Sequence, residues 1–161
     1  MRSLTNLSRR HLVGLIGLAL VASVPGGVQT VEAQREGKAS LDVHKALCPA
    51  GYSNEDYFTD CHDNGGAGSV FSLTGPGGRQ EATTIVDTSP GPGVARFQHL
   101  PGGVYKLTDM APGPADTPVR VFCFLADAGE SVPVTSRGNG VAVAIAAGED
   151  VVCDWYDVPL G

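Results

Sequence analysis

Basic side chains are scarce: 11 Lys and Arg stand against 17 Asp and Glu in 161 residues, a net charge of −6. Nucleic acids and anionic membrane surfaces both require clustered Lys and Arg, so neither is expected as a partner. Long hydrophobic runs are equally few. Past the N-terminal segment no stretch is apolar enough to span a bilayer, and no hydrophobic tail with a basic end closes the chain as a cell-wall sorting signal would. A soluble mature protein with no membrane span is therefore expected. Helical periodicity is missing too: after residue 33, no segment of ten residues repeats its apolar positions every three or four. The common enzyme motifs are absent, with no Gly-x-Ser-x-Gly elbow, phosphate-binding glycine loop or His-Glu-x-x-His helix. His44, His62 and His99 are scattered and without evident partners. The many carboxylates lie in loops and are read as surface residues that keep the protein in solution. No external enzymatic activity and no cofactor are expected.

What is present begins with an export signal. Arg2, Arg9 and Arg10 precede an apolar run, Leu12 to Val24, whose 13 residues suit a signal-peptide core rather than a bilayer span. Val31 and Ala33 place small residues at the two recognition positions for cleavage after Ala33. Ser8-Arg9-Arg10-His11-Leu12 also resembles a twin-arginine signal, so either export route fits. Residues 1–33 are read as the signal, 34–40 as a polar disordered leader and 41–161 as one domain. Without the signal, 128 residues remain, enough for a core of their own, with 8 basic and 16 acidic side chains.

All four cysteines, Cys48, Cys61, Cys123 and Cys153, fall in the exported part, and an even count there favours two disulfides. Three pairings are possible. Cys48–Cys61 with Cys123–Cys153 is preferred, because the first closes a local loop and the second joins two late strands. A zinc site using these cysteines, with His62 as a further ligand, is disfavoured by the lack of any Cys-x-x-Cys spacing. The segment from Cys48 to Gly68 is irregular and acidic. Asp56, Asp60 and Asp63 are its candidate calcium ligands, although their spacing fits no defined calcium loop and a solvated acidic loop is the simpler reading.

Elsewhere short alternating runs are punctuated by Gly and Pro. They read as strands over Leu41–Leu47, Val70–Leu73, Glu81–Asp87, Val119–Leu125 and Val151–Val158, with a hairpin pairing Ser131–Thr135 and Val141–Ala146. Two more runs flank Pro101-Gly102-Gly103 between Gly93 and Asp109 and read as a second hairpin. Such a pattern predicts an all-β, antiparallel β-sandwich of about seven strands, stapled by two disulfides.

Three strands carry a misfit on an otherwise apolar face. Lys45 aligns with Leu41 and Val43, Asp109 with Tyr105 and Leu107, and Asp157 with Val151, Cys153 and Trp155. Buried charges must be paired, neutralised or consumed. Desolvation favours the neutral forms of amine and carboxylic acid, and an uncharged amine can attack a polarised carboxyl to form an isopeptide bond.

These residues resemble a known family, the prealbumin-like β-sandwich of Gram-positive surface proteins called the SpaA-like or Cna B-type domain. The match rests on Val43-His44-Lys45, Phe71-Ser72-Leu73, Gly93-Val94-Ala95-Arg96-Phe97 and Asp157-Val158-Pro159. It rests above all on Leu100-Pro101-Gly102-Gly103-Val104-Tyr105-Lys106-Leu107-Thr108-Asp109, which follows the family's L-x-x-G-x-Y-x-L-x-E signature. The resemblance implies that Lys45 is the nucleophile, Asp157 the acceptor and Asp109 the proton-handling acid of an intramolecular isopeptide. Asp109 stands where the family has Glu, and Asp157 where it usually has Asn. The resemblance further implies a secreted, extracellular, non-enzymatic module with a structural, adhesive or surface-interaction role, its partner a protein or glycan ligand. The alternative is a transthyretin-like module that binds a small ligand or carbohydrate. Trp155, the one tryptophan, sits on the inward face and does not favour sugar stacking.

Overall fold

Alternation builds the first strand. Ala39, Leu41, Val43 and Lys45 point to one side and are buried, while Ser40, Asp42 and His44 point to the other. The computed structural model describes residues 37–87, 90–110 and 119–161, and in it this strand, β1, spans Ala39–Leu47. β1 takes in Ala39 and Ser40, which their polar surroundings assign to the leader. Ala39 is buried, and the Ser40 amide donates to Glu149 O at 3.0 Å. The expected export signal lies outside the described residues.

The remaining elements are α1 (Tyr57–Cys61), β2 (Val70–Gly75), β3 (Gly78–Thr83), β4 (Ile85–Val86), β5 (Gly93–Leu100), β6 (Gly103–Asp109), β7 (Val119–Leu125), β8 (Ser131–Val132), β9 (Val134–Ser136), β10 (Gly140–Ile145) and β11 (Asp150–Asp157). They form two sheets, ordered β4-β5-β1-β11-β7-β8 and β3-β2-β6-β10-β9. The expected β-sandwich is what folds, its seven or so strands represented among the described residues by eight long ones and three of two or three residues. Neighbouring strands pair antiparallel with one exception: β1 and β11, the first and last, run parallel side by side. Between the sheets lies one core that includes Leu41, Phe71, Leu73, Phe97, Leu100, Tyr105, Leu107, Val143, Ile145 and Trp155. Each large apolar side chain buried there contributes roughly 1.5–3 kcal/mol.

Three segments depart from the pattern read in the sequence, and all three change sheets. The stretch 93–109 is not a hairpin: β5 pairs with β1 and β4, β6 with β2 and β10, and Pro101-Gly102 carries the chain across the sandwich. The crossing starts at a bulge opposite Ser40, where His99 takes φ 61°, a left-handed conformation that His tolerates better than most residues. It ends where the Tyr105 hydroxyl donates to Pro101 O at 2.5 Å. A β-carbon on Gly75 would collide with the Tyr105 ring, so that position needs glycine. The run 81–87 divides at Thr84, β3 joining one sheet and β4 the other. Thr84 is buried at the crossing, its hydroxyl donating to Gly66 O and accepting from the Ser69 amide, both at 3.0 Å. Pro133, with no amide proton to give, separates β8 from β9 in the same way. Of the hairpin expected between 131–135 and 141–146, the part after Pro133 is present as β9 and β10, while β8 pairs with β7 instead.

Both preferred disulfides form, Cys48–Cys61 and Cys123–Cys153. The second joins residues directly opposite each other on β7 and β11 within the core. The first ties the end of α1 to the end of β1. It thereby holds the irregular segment against the outer side of the six-stranded sheet, over a satellite cluster of Ala46, Cys48, Cys61, Tyr156 and Val158 with Tyr52 and Tyr57. Among the described residues no helix is long and apolar enough to cross a membrane.

Candidate functional site

Parity sends Lys45, Asp109 and Asp157 into the core, and topology makes them meet. β1 and β11 are adjacent, with Lys45 opposite Trp155 and Leu47 opposite Asp157. β6 lies in the facing sheet, where Asp109 pairs with Phe71 of β2. The three side chains converge at one end of the core. Lys45 is 8% exposed, Asp109 2% and Asp157 4%, so bulk water reaches none of them freely. Lys45 Nζ contacts Asp109 Oδ2 directly and lies 2.9 Å from Asp157 Oδ2. The other Asp157 oxygen, Oδ1, accepts a hydrogen bond from Trp155 Nε1 at 3.1 Å. Phe71 closes the pocket, its ring centroid 5.7 Å from Lys45 Nζ and packed edge-on against Trp155 at 5.2 Å.

One amine, two carboxyls and one indole N–H thus share a water-poor space. Nζ lies within reach of the Asp157 carboxyl, whose far oxygen is held by the Trp155 indole N–H. Asp109 is one methylene shorter than Glu, and it still reaches Nζ.

Of the three acidic loop residues, Asp63 is exposed and the other two have partners within the segment. Asp56 caps α1 by accepting from the Thr59 amide at 3.1 Å, and Asp60 accepts from the Tyr52 hydroxyl at 2.9 Å and Asn54 Nδ2 at 3.3 Å. Partial burial, with that bond to Asp60 and the negative charges of Asp60 and Asp56, pushes the Tyr52 phenol up to about 12. Among the described residues the carboxylates and imidazoles close enough to share an ion form a different set: His44, His62 and Asp154. The histidines that look scattered in the sequence are therefore two neighbours, ring centroids 5.8 Å apart, and one exposed outlier, His99. Beside them Tyr57, Phe58, Phe122 and Tyr156 line a cleft of about 240 Å³, edged by Glu55, Asp56 and Asp154. Phe58 is 61% exposed and Phe122 47%. Burial and the neighbouring Asp154 charge push the Tyr156 phenol well above its ordinary range. Trp155, by contrast, is buried in the core as its parity requires.

No protein-family profile matches the chain, and no curated protein matches it in sequence. Among solved structures it aligns with BcpA, the major pilin subunit of Bacillus cereus, at 12% identity and a TM-score of 0.43. The alignment covers 76% of this chain and 30% of that pilin, so the chain spans less than a third of the pilin's length.

Proposed function

We propose that the chain is an exported, non-enzymatic β-sandwich module with a structural or adhesive role outside the cell, locked by an isopeptide bond between its first and last strands. The observation that carries this reading is Lys45 Nζ, buried and held between the carboxyls of Asp109 and Asp157. In the reaction Nζ attacks Cγ of Asp157 and the C–Oδ2 bond breaks. Two protons from the ammonium leave with that oxygen as one water, relayed by Asp109, and one stays on the amide nitrogen. Oδ1 remains as the amide carbonyl, its transient charge stabilised by Trp155 Nε1–H. No cofactor or external substrate is consumed, and the product joins strands already in register. Two disulfides agree with an oxidising, extracellular setting. Export through residues 1–33 is part of the proposal, and a mature N-terminus at Gln34 is its expected sign.

Intact-mass spectrometry tests the bond. The protein is expected to be lighter than its sequence by the four hydrogens of two disulfides and by one water. Asp109→Asn keeps the shape and removes the proton acceptor, and is expected to retain that water. A wild-type mass short of hydrogens alone would sink the proposal. A second reading, a module binding a small ligand or glycan, is favoured by the aromatic cleft of Tyr57, Phe58, Phe122 and Tyr156. A glycan array probed with wild type and Phe122→Ala separates it from the first.

A further inference from the structure

On the opposite side of the same two strands, His44 and Asp154 are register partners, so their side chains project together from the outer sheet face. His62 follows Cys61 directly at the end of α1, and the Cys48–Cys61 disulfide brings that helix end down beside them. One ligating atom from each of the three residues lies within 4.8 Å of the others. His44 Nδ1 and Asp154 Oδ1 are 3.3 Å apart. Two atoms each bound to a tetrahedral zinc ion at its usual distance lie about 3.3 Å from one another, so this edge already has the spacing of a coordinated pair.

The polar groups here are also under-satisfied. Asp154 is 5% exposed, and its Oδ1 has no hydrogen-bond partner, the approach of His44 Nδ1 lacking hydrogen-bond geometry. His62 Nδ1 is likewise buried without a partner. Orphaned buried polar atoms are rare in folded proteins and call for an explanation. An ion accepting a lone pair from each ligand supplies one.

We infer that His44, His62 and Asp154 form a binding site for a divalent transition-metal ion of the zinc class. Two imidazoles and one carboxylate are the donors such ions prefer, whereas calcium would take six or more oxygens. Three protein ligands leave the fourth position of a tetrahedral ion to water. Bringing His62 to the spacing of the other pair takes a shift of about 1.5 Å, within reach of its partly exposed ring. The bound ion fastens the disulfide-tied segment 48–64 to β1 and β11.

Zinc chloride titrated calorimetrically into the untagged protein is expected to bind one ion per chain. His44→Ala and His62→Ala are each expected to weaken binding more than about tenfold, a ligand counting for at least as much as an outer-sphere partner. His99→Ala is expected to leave it unchanged. Should a variant fold poorly, nitrogen-15 NMR of the wild-type imidazoles gives the answer: zinc moves the ring-nitrogen resonances of His44 and His62 and not those of His99. The inference is overturned if wild type binds no zinc, if either histidine variant binds it as tightly, or if the resonances of His44 and His62 stay in place.

Discussion

The two faces of the β1–β11 pair carry polar clusters built on alternate residues of the same strands, and they meet their needs in opposite ways. Lys45 and Asp157 face inward, with Asp109 supplied by the other sheet, and each contacts another member of the group. His44, Asp154 and Tyr156 face outward under a disulfide-tied segment, where Asp154 Oδ1 and His62 Nδ1 are buried without a hydrogen bond. The inner cluster is closed by the sandwich itself and suits a reaction among its own members. The outer one is roofed by a loop and suits a guest. On this strand pair a single step along the strand changes which part of the chain becomes the neighbour, and with it the surroundings of each cluster.

The largest effect is expected on the inner face. An amide from residue 45 to residue 157 closes nearly the whole domain, worth about 5 kcal/mol in the chain-entropy model. Lys45→Met also takes the amine away from two buried carboxyls, so urea unfolding is expected to show a loss of at least about 5 kcal/mol. Replacing Lys45, Asp109 and Asp157 together by Met, Leu and Leu removes those carboxyls as well. It is expected to recover part of that loss but not the share owed to the cross-link. Full recovery would mean that the cluster is an ion group and no more.

The disulfides sharpen the contrast at the next scale. Cys123–Cys153 closes 30 residues within the core, and replacing both with Ala is expected to lower global stability by about 3.5 kcal/mol. Cys48–Cys61 closes 13 residues in the roof. Its removal is expected to appear as local opening worth up to about 3 kcal/mol. Hydrogen exchange separates the two: faster exchange throughout β7 and β11 in the first case, confined to residues 48–64 in the second. Uniform acceleration in both would erase the distinction between core and roof.

How much of this the sequence discloses follows the same division. The inward faces are legible because period-two alternation continues through Lys45, Asp109 and Asp157, and a misfit stands out against apolar neighbours. Asp154 and Tyr156 are not legible as buried, since alternation assigns them to solvent and only the covering segment 48–64, which has no period, reverses that. His44 and His62 are 18 positions apart in a chain with no metal-ligand spacing. Their meeting depends on the pairing of Cys48 with Cys61, itself one of three possibilities from sequence. The sheet changes at Pro101-Gly102, Thr84 and Pro133 were hidden for a related reason. Turn-forming residues state that the chain bends, and not whether it returns to the same sheet.

Smaller effects test the polar supports of each face. Trp155→Phe removes the indole donor to Asp157 and keeps most of the ring volume. It is expected to cost about 2 kcal/mol, measured by thermal unfolding, and to slow loss of the water after refolding. On the outer face the phenols of Tyr52 and Tyr156 lie above the ordinary value of 10. A raised folded value contributes stability that is whole below pH 10 and is lost as pH climbs through about 12, where Tyr52 ionises. Phenolate absorbance is accordingly expected to lag behind that of the unfolded chain across this window. In Asp60→Asn, which weakens the acceptor for Tyr52, the lag is expected to shrink.

The central claim concerns one covalent bond, and peptide mapping reads it directly. After reduction and trypsin digestion, the account predicts a branched species joining residues 39–79, uncut at Lys45, to residues 138–161. Its mass is that of the two peptides less one water, with fragment ions placing the link between Lys45 and Asp157. Separate peptides cleaved after Lys45, with an unmodified Asp157, would contradict it.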